Sequence, residues 1–569
     1  MMVIQRTLIA LGVAAAIAAC ADSAPEPKQS NVTQPAPVTS PNTAAAEAEH
    51  SVRDASQSGA AQKYAVQELR TITNYSLPSA PPPSPGLTYY GPEQDRENYA
   101  HFKDNGVMLT RQQPVSTFSI DVDTGAYSNV RRFLSEGRLP PPDAVRTEEL
   151  VNYFSYDYPA ETRGDEPFTL TTEMGVSPWH EGRHLLQVGL RANEPGDGDV
   201  PASNLVFLVD VSGSMDSPDK LGLLKTALKM LSRQLDADDR VSIVVYAGAS
   251  GVVLEPTAGN GTGAIERALD RLQAGGGTNG AAGIELAYQL ARQSFIEGGI
   301  NRILLATDGD FNVGMTDFES LKQRVSRERE SGVSLTTLGF GRGNYNDHLM
   351  EQLADAGDGN HAYIDTLNEA RKVLVDEMSS TLQIVARDVK IQVEFNPAVV
   401  REYRLVGYEN RALANEDFNN DRVDAGEIGA GHTVTALYEL TLVDGGTPSV
   451  DPLRYAQQGK PTPENSEFDG ELAFVKLRYK APGEERSVLI SRPVLTRDRV
   501  DDFADNSEDF RFAVAVAGFS QLLRNNTAIA DFDYDRVLAL ATPARGADPF
   551  GYRGEFLNLV RTAQVLSQP

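Results

Sequence analysis

The tightest constraint on this chain lies between Asn204 and Met215, which read Asn-Leu-Val-Phe-Leu-Val-Asp-Val-Ser-Gly-Ser-Met. Leu205 to Val209 are apolar without alternation, the mark of a strand buried on both faces in the middle of a parallel sheet. At Asp210 the character changes. Asp210, Ser212 and Ser214 alternate with Val211 and Gly213, so one carboxylate and two hydroxyls can turn toward one point where the strand leaves the sheet. Oxygen donors of this kind suit a hard divalent cation.

The surrounding chain, residues 203–385, alternates strands and helices, which predicts an α/β fold with a doubly wound, mostly parallel sheet of the Rossmann-like kind. Strands fall near 204–210, 241–246, 252–254, 302–307, 334–340 and 361–365, with helices between them, the first from Asp219 to Leu235 and the last from Leu367 to Leu382. In open sheets of this class ligands gather outside the carboxyl ends of the strands. Asp210 ends one such strand, and Asp308, in Ile303-Leu304-Leu305-Ala306-Thr307-Asp308-Gly309, ends another. Thr278 follows Gly275-Gly276-Gly277, whose lack of side chains lets a backbone pass close to an ion. The usual glycine-rich phosphate motifs are missing, which removes the warrant for nucleotide binding.

Asp210-x-Ser212-x-Ser214, Thr278 and Asp308, in that order, resemble the metal-ion-dependent adhesion site of von Willebrand factor type A domains. The resemblance implies one Mg²⁺ or Mn²⁺ ion held by Asp210, Ser212, Ser214, Thr278 and Asp308. The serines and the threonine would give hydroxyls, and the carboxylates would bind directly or through water. One coordination position is left for an Asp or Glu carboxylate of a protein partner. Few carboxylates among several neutral hydroxyls leave positive charge on the cation, which the partner's carboxylate neutralises. The implied role is binding, not catalysis. Two alternatives stay open. A metal-dependent hydrolase would use the ion to activate water, but it needs a general base, and of the seven histidines His348 and His361 lie in this region without belonging to a catalytic motif. A metal-independent assembly scaffold would use the same fold with a degenerate site.

With 569 residues the chain has material for about three or four domains. Lys and Arg total 52 against 79 Asp and Glu, a formal charge of -27 that repels nucleic acid. The single cysteine, Cys20, excludes an internal disulfide and any multi-cysteine metal site. It ends residues 1–20, where Arg6 and the apolar stretch Leu8 to Ala19 have the layout of a secretory signal. About 12 apolar residues fall short of the roughly 20 that span a bilayer. Ile17-Ala18-Ala19-Cys20 resembles a bacterial lipobox, which implies lipidation of Cys20 and a lipoprotein of the cell envelope; Ala21 resembles the signal for the outer membrane. Residues 21–115 begin with a segment free of aromatics and rich in Ala, Pro, Ser, Thr and Gln, and read as a disordered tether.

The flanks have a different grammar. In residues 116–202, Asp123-Thr124-Gly125 resembles half of an aspartic protease pair but has no second Asp-Thr-Gly or Asp-Ser-Gly, and Asp121-x-Asp123-x-Gly125 misses the Asp-x-Asp-x-Thr pattern of haloacid-type phosphatases by one place, so the stretch reads as a strand ending in an Asx turn. A helix follows over Ala126 to Glu136, then another from Thr147, a candidate cap. Phe168, Leu170, Thr172 and Met174, then Leu186, Val188 and Leu190, alternate as half-buried strands. Residues 386–500 return to that period, with Val389, Ile391, Val393 and Phe395 on one face. The α/β domain is therefore expected either inserted into a β-sandwich or flanked by separate β domains. Asp417-Phe418-Asn419-Asn420-Asp421 imitates the first half of a calcium loop, with Arg422 and Ile428 in place of the glycine and glutamate that complete one, so Ca²⁺ is a weak second candidate. Residues 501–569 are helical, with Phe512, Val516, Phe519 and Leu523 on one stripe.

Overall fold

Every residue of the strand Ser203–Asp210 is buried, and the rest of the inserted domain is arranged around it. The structure, a computed structural model, describes residues 97–160, 166–194, 201–277, 279–309, 318–342, 345–449, 468, 470–529 and 531–568. The signal, Cys20 and most of the expected tether lie outside the described residues, as does Thr278.

Six strands form the central sheet, in the order His361–Ile364, Ser334–Phe340, Ile300–Thr307, Ser203–Asp210, Arg240–Tyr246 and Ser250–Ala258. All neighbours are parallel except the last pair. Alternate residues of the Ser203–Asp210 strand feed two cores. Leu205, Phe207 and Val209 pack under the helices Leu223–Ser232 and Thr262–Asp270. Val206 and Leu208 pack under Gly280–Gln293, Phe318–Arg329 and Asp347–Ala356. A sheet covered on both faces explains why its strands are continuously apolar. The side chains of Asn279, Asn346 and Thr366 accept backbone N–H groups at three helix starts, satisfying donors that the helix itself cannot. The helix expected from Asp219 instead opens with a π-type turn over Pro218–Gly222, and the one expected from Leu367 to Leu382 is interrupted by another over Lys372–Asp376.

The flanking strands form a β-sandwich that contains segments from both sides of this domain. Thr433–Leu442 pairs antiparallel with His184–Ala192, in register from Thr433 opposite Arg191 to Leu440 opposite His184. The facing sheet joins Gly426–Gly429, Ile384–Phe395, Glu471–Lys480 and Val488–Leu495, with Val115–Ser119 also paired to Ile384–Phe395. Phe118, Leu186, Val188, Val389, Ile391 and Tyr438 meet in the core between them. The α/β domain is thus inserted in the sandwich. A fourth core joins the N-terminal helices Gly125–Ser135 and Thr147–Asn152 to the C-terminal helices Glu508–Leu523, Tyr534–Ala541 and Tyr552–Leu566.

Two expectations change. Thr147 is not a cap: its Oγ1 accepts hydrogen bonds from Ser520 Oγ and Gln521 Nε2, both 2.9 Å, because the C-terminal helix packs over this turn. The tether expected over 21–115 does not extend to 115. Glu97 Oε2 already pairs with Arg132 at 2.7 Å, and Met108–Leu109 adds to the sheet beside Tyr403. Polar residues here are ordered by specific partners, which no apolar pattern announces.

Charge joins the parts as well. Asp123 N donates to Asp121 Oδ1 at 3.0 Å, the expected Asx turn. Both carboxylates then meet Arg411 at 3.1 Å, and Arg411 also reaches Glu351 at 3.2 Å and Asp355 at 3.1 Å. Asp123 Oδ1 accepts His361 N at 2.8 Å. The Asp121-x-Asp123 motif is therefore part of a seam between N-terminal segment, inserted domain and sandwich. Among the described residues no helix is long and apolar enough to cross a membrane.

Candidate functional site

The strand Ser203–Asp210 ends beside Ile300–Thr307, and the residues just beyond the two strand ends carry the oxygens. Asp210 is fully enclosed. Its Oδ1 accepts Ser212 N at 2.8 Å, which fixes the turn out of the strand, and its Oδ2 accepts Thr307 Oγ1 at 2.9 Å. Ser212 Oγ and Ser214 Oγ lie 2.9 Å apart. Asp308 is equally enclosed and its Oδ2 accepts Lys220 Nζ at 3.0 Å. Thr307 Oγ1 also accepts Gly309 N at 3.1 Å, where Gly309 has φ of +87°, so the chain turns sharply after the second carboxylate.

The glycine-rich loop closes the same edge. Gly213 N donates to Gly276 O at 3.1 Å and Gly275 N to Val211 O at 2.8 Å. Gly276 has φ of +88°, a conformation that glycine adopts without strain. The structure thus brings Asp210, Ser212, Ser214 and Asp308 together and ties the loop before Thr278 to them.

Burial pushes the Asp210 carboxyl up to about 6, and the charge of Asp308 adds to the rise against hydrogen bonds from Ser212 and Thr307. Burial, with Asp210 beside it, also pushes the Tyr246 phenol well above its usual range. Asp210, enclosed and beside a second carboxylate, is incompletely compensated, and a cation at this point would relieve it. The donor set fits such an ion: oxygens only, from carboxylates and hydroxyls, with one ammonium already drawn to Asp308. Asp210, Ser212, Ser214 and Asp308 are the described residues that could hold it.

Sequence reasoning missed two residues of this group. Thr307 reads as one more β-branched residue of an apolar strand, yet it orients Asp210. Lys220 reads as a surface residue at a helix start, yet its side chain lies buried against Asp308.

The imitation of a calcium loop behaves differently. Lys390 Nζ donates to the carbonyls of Asp417 at 3.3 Å and Asn420 at 2.7 Å, and Lys480 Nζ to that of Asp421 at 2.7 Å. The side-chain oxygens at the third and fifth places, which such a loop would turn to calcium, are also engaged: Asn419 Oδ1 accepts Arg478 Nη2 at 3.0 Å and Asp421 Oδ2 accepts Ser487 N at 3.4 Å.

Comparison with known proteins agrees with this architecture. The profile of the von Willebrand factor type A domain matches residues 204–377, a second von Willebrand factor profile matches 93–187, and that of "Uncharacterized protein YfbK, C-terminal" matches 380–566. The chain belongs to the bacterial von Willebrand factor type A domain proteins. Among them, it is 49% identical over 471 residues to the Uncharacterized protein YfbK of Escherichia coli K12, covering 82% of this chain and 80% of that one. It is also 32% identical over 167 residues to the Uncharacterized protein sll0103 of Synechocystis, covering 29% of this chain and 39% of that one. A solved structure, the von Willebrand factor type A protein from Catenulispora acidiphila, aligns with a TM-score of 0.40 and 16% identity over 69% of this chain and 89% of that one. The domain is of a class that serves protein interaction and adhesion.

Proposed function

We propose that this protein is a lipid-anchored component of the bacterial envelope that binds a protein partner through a divalent cation held by Asp210, Ser212, Ser214, Thr278 and Asp308. The cation, Mg²⁺ or Mn²⁺, accepts an Asp or Glu carboxylate from the partner. The observation that carries this reading is the meeting of two enclosed carboxylates and two hydroxyls at the carboxyl ends of adjacent parallel strands, where folds of this class place their ligands. When bound, the ion supplies a positive charge that binds the partner's carboxylate. Thr307 holds Asp210 in position, and Lys220 holds Asp308. Cys20 supplies the anchor, and the segment after it gives the reach that a tethered receptor needs.

The experiment is a Mg²⁺ and Mn²⁺ titration of the full chain and of Asp210→Ala, followed by pull-down from solubilised envelope with and without EDTA. Loss of metal binding in the folded variant, together with loss of the captured partner in EDTA and in Asp210→Ala alike, is the expected outcome. Undiminished capture in EDTA would point instead to the scaffold reading. Replacement of Cys20 by Ser should release the protein from the membrane fraction.

A further inference from the structure

Glu427 lies on the short strand Gly426–Gly429 at the inner wall of a cavity of about 630 Å³ between the inserted domain and the sandwich. Its exposure is 6%, and among the described residues its carboxylate makes no hydrogen bond and no ion pair. One carboxylate oxygen each from Asp358, Asp424 and Glu427 lie within 4.8 Å of one another, and the Arg329 guanidinium is paired with the first two only. We infer that Asp358, Asp424 and Glu427 form a second divalent-cation site, distinct from the one at Asp210, for a hard ion of the calcium type.

A buried carboxylate without a partner is costly enough that it takes a proton or a cation. The cationic side chains nearby do not meet Glu427. Arg329 Nη1 binds Asp358 at 2.6 Å and Asp424 at 3.0 Å, and Arg387 reaches Asp358 at 3.4 Å. Lys480 is taken by Asp388 at 2.7 Å. Arg302, buried on the inner side, gives its Nη groups to Thr336 Oγ1 at 2.5 Å and to the Leu382 carbonyl at 3.3 Å. Asp355 and Asp388 add to the negative field that, with burial, raises the Glu427 carboxyl well above its ordinary range.

Three oxygens within 4.8 Å of one another can share one ion, and the irregular coordination of calcium tolerates a site completed by water. Asp424, with its side chain 53% exposed, provides the way in. Because Asp358 follows the helix Asp347–Ala356 while Asp424 and Glu427 belong to the sandwich, the ion would fasten the two domains.

The test is a calorimetric titration of the full chain with Ca²⁺, in an Asp210→Ala background so that the adhesion site does not contribute, paired with thermal unfolding. One Ca²⁺ should bind and raise the melting temperature. Adding Glu427→Gln, which keeps shape but not charge, should abolish both effects, and Asp424→Asn at the exposed rim should weaken binding at least tenfold. Asp424→Asn carries the test alone should Glu427→Gln fail to fold. Absence of Ca²⁺ binding in the Asp210→Ala protein, or binding unchanged by either second substitution, overturns the site. A Glu427→Gln protein that is simply more stable, with a parent that ignores Ca²⁺, overturns it too, since Glu427 is then held by a proton. Each of these outcomes is independent of the reading of the Asp210 site.

Discussion

Lys220 Nζ lies 3.0 Å from Asp308 Oδ2, with the lysine side chain 10% exposed and the aspartate not at all. An internal cation thus neutralises one of the two carboxylates that a divalent ion would claim. An ammonium a few ångströms from a divalent ion repels it by an amount that even a well-screened interior does not cancel. Lys220→Met should therefore bind Mg²⁺ at least about tenfold more tightly, about 1.4 kcal/mol. Without metal it should be less stable than the parent, because Asp308 then stays buried without its counter-charge. Titrations of both proteins check this, and equal affinities would refute it.

The lysine is guided by Gly341, which has φ of +73° and whose position leaves no room for a Cβ against the Lys220 stem. Gly341→Ala should push the stem aside and reproduce part of the Lys220→Met gain in Mg²⁺ affinity. It should also destabilise the fold by about 1 kcal/mol or more, since alanine is strained at that φ. A Gly341→Ala protein with parental metal affinity would show that the slot does not set the lysine's reach.

How much of this could be read from the chain depends on the range of the interaction. Asp210, Ser212, Ser214 and Asp308 stand out because each follows an apolar run that ends abruptly, a local signal. Lys220 and Thr307 carry no such signal, since one needs the π-type turn at Pro218–Gly222 to face inward and the other sits within a strand. In the sandwich, alternation fixes which face of a strand is apolar but not which strand lies beside it. Insertion and separate domains share that alternation and differ in the long-range pairing of Thr433–Leu442 with His184–Ala192. Arg411 and Asp121 are 290 positions apart and share no periodicity at all.

Arg411 is the hub of the seam, with four carboxylates on one guanidinium. Removing it leaves Asp121, Asp123 and Glu351 enclosed without that partner. Arg411→Leu should cost about 3–5 kcal/mol, measured as a shift in denaturant midpoint. The loss should be smaller at pH 5 than at pH 8, because the orphaned carboxylates can take protons. Arg411→Lys should recover only part of it, as an ammonium lacks the planar fork that serves several carboxylates at once. A loss of under about 1 kcal/mol at pH 8 would mean that the seam is not held by this residue.

Glu148 offers a pH test with a definite sign. It is 2% exposed, and its Oε2 accepts Tyr408 N at 2.9 Å. Burial, then the charges of Glu409 and Asp121, push its carboxyl up to about 7 from an ordinary 4.5, against that hydrogen bond. Below about pH 4.5 both folded and unfolded chains hold the proton and the group has no effect. Between about 4.5 and 7 the unfolded chain releases it first, so stability falls as pH rises, by about 3 kcal/mol in all; above 7 both are ionised and the loss is constant. Glu148→Gln keeps an acceptor for Tyr408 N and never ionises. It should match the parent at pH 4.5 and exceed its denaturation midpoint at pH 8. A variant less stable than the parent at pH 8 would show that the Glu148 charge is favourably held in the fold.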